Sequence, residues 1–223
     1  DSNVQNVNLK TLHDSLFPTE TATTVISVYI ETGVIVGSDS TSDVAFDVGT
    51  GWISGSSIII YPRGRIQGAG GAGVSGDTNG LPGGDALQTT RSITLDFENG
   101  SGQIWSGGGS GGGGFSRFGI SSGSGGGAGQ LPGNGGPSLG SGDPGGAGTT
   151  ESGGSGALTN ANFGGQAGNG GGPGQNGSPG QDSENSGGSF VHFGGIAGDS
   201  IVGVSNVTFL NDASKDIRGA QTG

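Results

Sequence analysis

The sequence predicts a mainly β protein of non-classical secondary structure, in which a β-hairpin module carries a sandwich of polyglycine II helices. Three observations predict it. Glycine supplies 57 of the 223 residues, far above the roughly 7% usual in proteins. The glycines recur three apart: in GGQAGNGGGPGQNGSPGQ, residues Gly165, Gly168, Gly171, Gly174, Gly177 and Gly180 keep that spacing without a break. The glycine blocks are also bracketed by short runs rich in β-branched and aromatic residues, which read as strands.

The period has a physical reason. An extended helix with three residues per turn makes no internal hydrogen bonds, and its N–H and C=O groups point outward. Buried, those groups need partners. Glycine at every third position clears one edge, so two such backbones approach closely enough to bond directly. Collagen uses the same geometry but needs an unbroken register, commonly with proline. Here the phase resets repeatedly and prolines number eight, so one chain folding back on itself is the better solution. Triplets such as Gly107-Gly108-Gly109 suit neighbours on more than one side. Glycine loses the most entropy on ordering, and each hydrogen bond returns a net of only about 0.5–1.5 kcal/mol. Apolar strands at the ends of each block then supply the anchoring.

Taken in order, residues 1–20 read as a lead-in segment, where NLKTLHDSLF makes a helical turn or two that Pro18 stops. Residues 21–66 read as a β module, with TTVISVYIETGVIV, then SSIIIYP and RIQ joined by PRG as a turn. Residues 67–199 form the glycine-rich polyglycine II bundle, with an inserted β-hairpin near 91–105. In RSITLDF, Ile93, Leu95 and Phe97 alternate with Ser92, Thr94 and Asp96, the pattern of a half-buried strand. ENGSG turns it and QIW returns. Residues 200–223 form a closing β-hairpin. A weak internal repeat runs through IIIYPRGRIQGAGG, ITLDFENGSGQIWSGGG and VTFLNDASKDIRGAQTG, each an apolar strand, a polar turn and a short arm carrying Ile66, Ile104 or Ile217.

Composition excludes several functions. A net charge of −11 with seven basic residues gives phosphate backbones and anionic lipid nothing to bind, so no nucleic-acid partner is expected. Without cysteine there is no disulfide or thiolate metal site. No apolar run reaches the roughly 18–20 residues of a membrane span. Of the two histidines, His13 reads as a surface residue of the lead-in and His192, within SFVHF, as a strand-face residue. The carboxylate pairs Asp43/Asp47, Asp96/Glu98 and Asp182/Glu184 read as solvated loop acids. The GxGxxG-like strings lack the Gly-Lys-Ser/Thr and helix of a phosphate loop. The sequence predicts no enzyme, no cofactor and no metal.

What remains for function is the set of loops that break the glycine pattern: FSRFGI (115–120), QLPGN (130–134), ESGGSGALTNANF (151–163) and QDSENSG (181–187). They carry Phe115, Arg117, Phe118, Leu131, Leu158, Asn160 and Phe163. Aromatic and arginine residues at exposed turns suit recognition, and these seven are the candidate receptor-binding residues. Anchors tucked under the rods are the alternative role for Phe115, Phe118 and Phe163.

The stretch LKTLHDSLFPTETATTVISVYIETGVIVGSDSTSDVAFDVGTGW, followed by GRIQGAGGAG, resembles the C-terminal region of tail-tip (central fibre, J-like) proteins of long-tailed bacteriophages. That resemblance covers roughly residues 9–73. The interrupted glycine blocks of residues 67–188 resemble the tail-fibre adhesins of T-even-like phages, whose family fold is a polyglycine II sandwich. The resemblance implies an extracellular, virion-borne receptor-binding tip. Its partners would be an outer-membrane protein or a surface glycan of a Gram-negative host, with the protein favoured, and the rest of the phage tail tip. Tail-tip proteins often trimerise, which makes a homotrimer one implied assembly. An ice-binding protein and a structural glycine-rich matrix protein are the alternative readings.

Overall fold

The computed structural model describes residues 3–98, 102–115, 120–157, 165–182 and 190–223. In chain order its elements are β1 (Val4–Gln5), β2 (Val7–Asn8), α1 (Leu9–Leu16), β3 (Val25–Ile30), β4 (Ile35–Gly37), β5 (Phe46–Asp47), β6 (Ser57–Pro62), β7 (Arg65–Gln67), β8 (Leu87–Gln88), β9 (Ile93–Asp96) and β10 (Gln103–Trp105). There follow β11 (Gly114–Phe115), β12 (Ser121–Ser122), β13 (Gly180–Gln181), β14 (Val191–His192), β15 (Asp199–Val202), β16 (Val207–Leu210), β17 (Asp216–Arg218) and β18 (Ala220–Thr222).

Strands β1–β10 and β15–β18 wind into a three-sided parallel coil. One face stacks β1-β4-β7-β10-β17, the second β2-β5-β8-β15-β18 and the third β3-β6-β9-β16. Each face sends apolar side chains inward in register, and one ladder from each shows the pattern. These are Val36↔Ile66↔Ile104↔Ile217, Val7↔Phe46↔Leu87↔Ile201 and Val28↔Ile60↔Leu95↔Phe209. Phe46, Ile60, Ile66, Leu87, Leu95, Ile104 and Ile201 are buried, and each such side chain is worth about 1.5–3 kcal/mol of transfer free energy.

The coil corrects the hairpin reading. The arms on either side of the PRG turn, of the ENGSG turn and of the turn at residues 211–215 do not pair with each other, and within residues 200–223 the only pairing, β15 with β18, is parallel. Each pairs with the equivalent arm of the next coil: β7 with β10 and β10 with β17, both parallel. The corners follow the same rule. Gly64 donates its N–H to the Ile30 carbonyl at 2.7 Å and accepts from Gln103 N–H at 3.0 Å, bonding to the coils before and after it rather than across its own turn. Residues 1–20 are not a separate lead-in either, because β1 pairs with β4 and β2 with β5. The expected helix is present as α1. Asn8 caps it, its side chain accepting from Thr11 N–H at 3.0 Å, and it ends just before Pro18. The alternation of RSITLDF is borne out, with Ile93, Leu95 and Phe97 buried.

The glycine-rich segments leave this coil twice, as residues 68–86 between β7 and β8 and as residues 106–198 between β10 and β15. Their backbones bond to one another in a threefold rotation. Along residues 107–113, Gly107, Ser110 and Gly113 donate to the carbonyls of Gly84, Leu81 and Thr78. Gly108 and Gly111 donate to Ala128 and Gly125, and Gly109 and Gly112 to Gln175 and Ser178, all at 2.8–3.1 Å. Three successive residues thus address three neighbouring segments, two antiparallel and one parallel, and the cycle repeats every three residues. At two positions where serine replaces glycine inside the bundle its hydroxyl finds a partner: the Oγ atoms of Ser110 and Ser124 accept from the N–H of Leu81 and Val74, both at 2.8 Å.

The spacing leaves no room for side chains between segments. A Cβ on Gly127 would overlap the carbonyl of Gly108, whereas one on Gly172 would meet only the flexible side chain of Gln175. Gly127→Ala is therefore expected to cost about 1–3 kcal/mol and to lower Tm by roughly 2–12 °C for a chain of this length. Gly172→Ala is expected to leave Tm nearly unchanged. Paired thermal melts followed by circular dichroism check the contrast.

Candidate functional site

The bundle has two ends. At the coil end its turns touch the coil strands. Gln130 N–H donates to the Gly68 carbonyl, Gln5 Nε2 donates to Gln130 Oε1 at 3.2 Å, and Gln67 Nε2 donates to the Thr150 carbonyl at 2.6 Å. The other end is built from Gly76–Thr78, Phe115, Leu139–Gly142, Ala157, Gly165, Gln181–Asp182 and Phe190–His192. Gly76 and Gly140 turn there with φ of +65°, a conformation that glycine adopts freely.

Two antiparallel pairs sit side by side at this far end. In one, Phe115 faces Ser121 (β11 with β12); in the other, Gln181 faces Val191 (β13 with β14). Asp182 joins them: its Oδ1 accepts from Phe115 N–H at 3.2 Å and lies 2.9 Å from His192 Nε2. His192 Nδ1 lies 3.3 Å from Asp77 Oδ1, which ties in the turn at residues 76–78. The His192 and Asp182 side chains are 7% and 5% exposed, Asp77 79%. Asp182 is therefore a buried structural acid, not the solvated loop acid its spacing predicts. Gly165 completes the cluster, its carbonyl accepting from Ser122 Oγ at 3.1 Å. The flanks of three loops, 116–119, 158–164 and 183–189, thus emerge together.

Of the seven residues singled out in the sequence, Phe115 is half-buried at this far end. Arg117, Phe118, Leu158, Asn160 and Phe163 lie outside the described residues, between flanks that the cluster brings together. Leu131 is exposed but belongs to the other end, where its carbonyl accepts from Gly70 N–H at 2.9 Å. QLPGN breaks the glycine pattern as the distal loops do, and sequence spacing alone does not tell which end of a rod a turn occupies.

Three exposed residues escaped the sequence reading: Phe190, Phe193 and Ile196, at 65%, 68% and 66% exposure. They are three apart, so in a threefold segment they share one edge. This edge runs from the tip down the outside of the bundle beside exposed Leu81, since Gly80 and Gly83 donate to the carbonyls of Phe193 and Ile196. The signal was in the sequence as the same period of three, carried by large apolar residues instead of glycine.

The corner of the coil between its second and third faces is also apolar. Helix α1 exposes Leu12 and Leu16 and is followed by exposed Phe17, with Ile53 nearby at the same corner of the coil. A cavity of about 610 Å³ lies there, lined by Trp52, Ile53, Arg91 and Thr94 among others. Among the described residues no helix is long and apolar enough to cross a membrane.

A family model described as phage tail fibre adhesin Gp38 matches residues 1–222. A solved structure, the gp37–gp38 adhesin tip complex of the bacteriophage S16 long tail fibre, is similar to this chain with a TM-score of 0.61 and 25% identity, covering 98% of this chain and 79% of that one. No curated protein matches. The family match spans both regions of the sequence that carried a resemblance.

Replacing His192 by leucine keeps apolar bulk but leaves Asp182 buried without its ring partner. The expected cost is about 1–3 kcal/mol, read as a lower urea midpoint. Asp77→Ala, at an exposed position, is expected to leave that midpoint within error.

Proposed function

We propose, from the premise that this chain belongs to the phage tail fibre adhesin family, that it is a non-enzymatic receptor-binding adhesin whose distal loops recognise an outer-membrane protein of a Gram-negative host. Membership in that family places the protein in the virion tail, outside the cell. The observation that carries the reading is the convergence, at the Asp182–His192 cluster on the end of the bundle away from the coil, of the residues that flank three pattern-breaking stretches of sequence. We read the glycine segments as polyglycine II helices, on the strength of the threefold donor rotation, and the bundle as a rigid platform for those loops. Phe115, Arg117, Phe118, Leu158, Asn160 and Phe163 form the proposed contact set, extended by Phe190, Phe193 and Ile196. Leu131 is left out of it because it lies at the coil end of the bundle.

A protein receptor fits this surface better than a phosphate-rich glycan. The exposed distal edge carries Phe190 and Phe193, and aromatic residues are enriched in protein interfaces. The chain carries −11 net charge, which repels anionic polysaccharide. On the coil, we read the apolar surface of Leu12, Leu16, Phe17 and Ile53 as the docking face for another tail-fibre chain. The similar solved structure is itself a complex of two fibre components, and this surface belongs to the coil and not to the far end of the bundle.

Purified protein is expected to block adsorption of its phage to susceptible cells. Phe193→Ser combined with Ile196→Ser is expected to weaken that competition about tenfold or more, as hot-spot losses do, with Tm unchanged; Leu131→Ser is expected to have no effect. Protease-shaved cells that still bind the protein would transfer the reading to a glycan. For the coil surface, Leu16→Ser combined with Phe17→Ser is expected to abolish co-purification with the fibre chain while leaving cell binding intact.

A further inference from the structure

We propose that His13, Asp14 and Glu20 form a binding site for a divalent transition-metal ion of the Zn²⁺ class, a site that stands independently of the adhesin reading. One nitrogen and two carboxylate oxygens form the donor set, and their ligand atoms all lie within 4.8 Å of one another. His13 Nδ1 is 3.2 Å from Asp14 Oδ1 and 4.0 Å from Glu20 Oε2. Ligand bonds of about 2.0–2.2 Å in a tetrahedral site put donor atoms roughly 3.3–3.6 Å apart, so a small closure of Glu20 completes the triangle. Water is left to fill the fourth position.

The independent observation is Glu20. Its side chain is only 1% exposed. Oε1 accepts from Ile53 N–H at 3.0 Å, but the buried Oε2 accepts no hydrogen bond. A buried carboxylate oxygen without a donor is costly. This one is aimed at the imidazole of His13 and at Lys10 Nζ, 3.8 Å away. The Glu20 carboxyl is also held below the usual glutamate range, chiefly by its own backbone N–H and then by that of Ile53 and the Lys10 charge, against the opposing effect of burial. The His13 ring is fixed between Phe17 and Trp52, with ring centroids 5.5 and 5.3 Å away. Asp14, with half of its side chain exposed, gives the ion a way in.

Lys10 is the competitor. Its ammonium sits 2.5–2.6 Å from both Asp14 oxygens and balances charge in the metal-free protein. A divalent ion displaces it, joining α1 to the segment that follows and fixing the slope at which Leu12, Leu16 and Phe17 are presented. The sequence HDSLFPTE hides the site, because Glu20 lies beyond Pro18 and approaches only after the chain turns back toward Ile53.

The test uses the full chain, with Zn²⁺ in thermal melts and Co²⁺ in visible absorption. Zn²⁺ at a hundredfold excess over its Kd is expected to raise Tm by about 5–10 °C, and Co²⁺ to develop ligand-field bands at a one-to-one ratio. His13→Gln and Glu20→Gln should lose both effects. Asp14→Asn, at an exposed position, serves if a buried variant fails to fold. Lys10→Met, which removes a competing charge, is expected to bind at least about tenfold more tightly. Saturable binding that survives His13→Gln overturns the proposal. So does the absence of binding in both the wild type and Lys10→Met, which would leave the cluster as a lysine ion pair only.

Discussion

Backbone-to-backbone hydrogen bonding without intervening side chains is the constraint from which the distal half of this molecule follows. Each residue along a rod donates to a different neighbour, so a rod is held from three directions at once. That arrangement works only where adjacent backbones nearly touch, and a single Cβ at Gly127 would meet the Gly108 carbonyl. The bundle therefore has almost no hydrophobic driving force of its own. Its net gain per residue is a fraction of what a buried isoleucine supplies, against the largest backbone entropy loss of any residue type.

The coil makes up that deficit. Both glycine excursions begin at the end of a strand on one face and return at the start of a strand on the next. Ile66 and Ile104, at the exits, and Leu87 and Ile201, at the returns, are fully buried in ladders of fixed register. The points where the two excursions leave and rejoin the coil are thus set by side-chain packing, and the phase of the rods by hydrogen bonding. Trp105 reinforces the exit, with the guanidinium groups of Arg65 and Arg218 stacked over its ring at 3.8 and 3.9 Å.

Much of this was legible in the sequence. The period of three announced the bundle, the alternation of Ile93, Leu95 and Phe97 announced a strand, and the repeat at Ile66, Ile104 and Ile217 was real. Its meaning was not legible locally. A strand, a turn and an arm look alike whether the arm folds back or winds onward. What separates the two is that the arms match one another across repeats, which is translation along a coil. The distal cluster was hidden for a different reason. Asp182 and His192 sit in polar, low-complexity surroundings, and only the adjacency of two short antiparallel pairs buries them. Leu131 and the distal loops share a composition, and the end of the rod on which each falls depends on the count of segment reversals.

The rods run lengthwise from the coil toward the tip, with their hydrogen bonds lying across that direction. A particle tethered through its tip to a drifting or dividing cell would load the protein along the rods. Under such tension no rod can be peeled from the bundle one bond at a time; every bond along its three neighbours must shear together. The same crosswise bonding that lets glycine replace a core thus makes the bundle resistant to mechanical pull along its length.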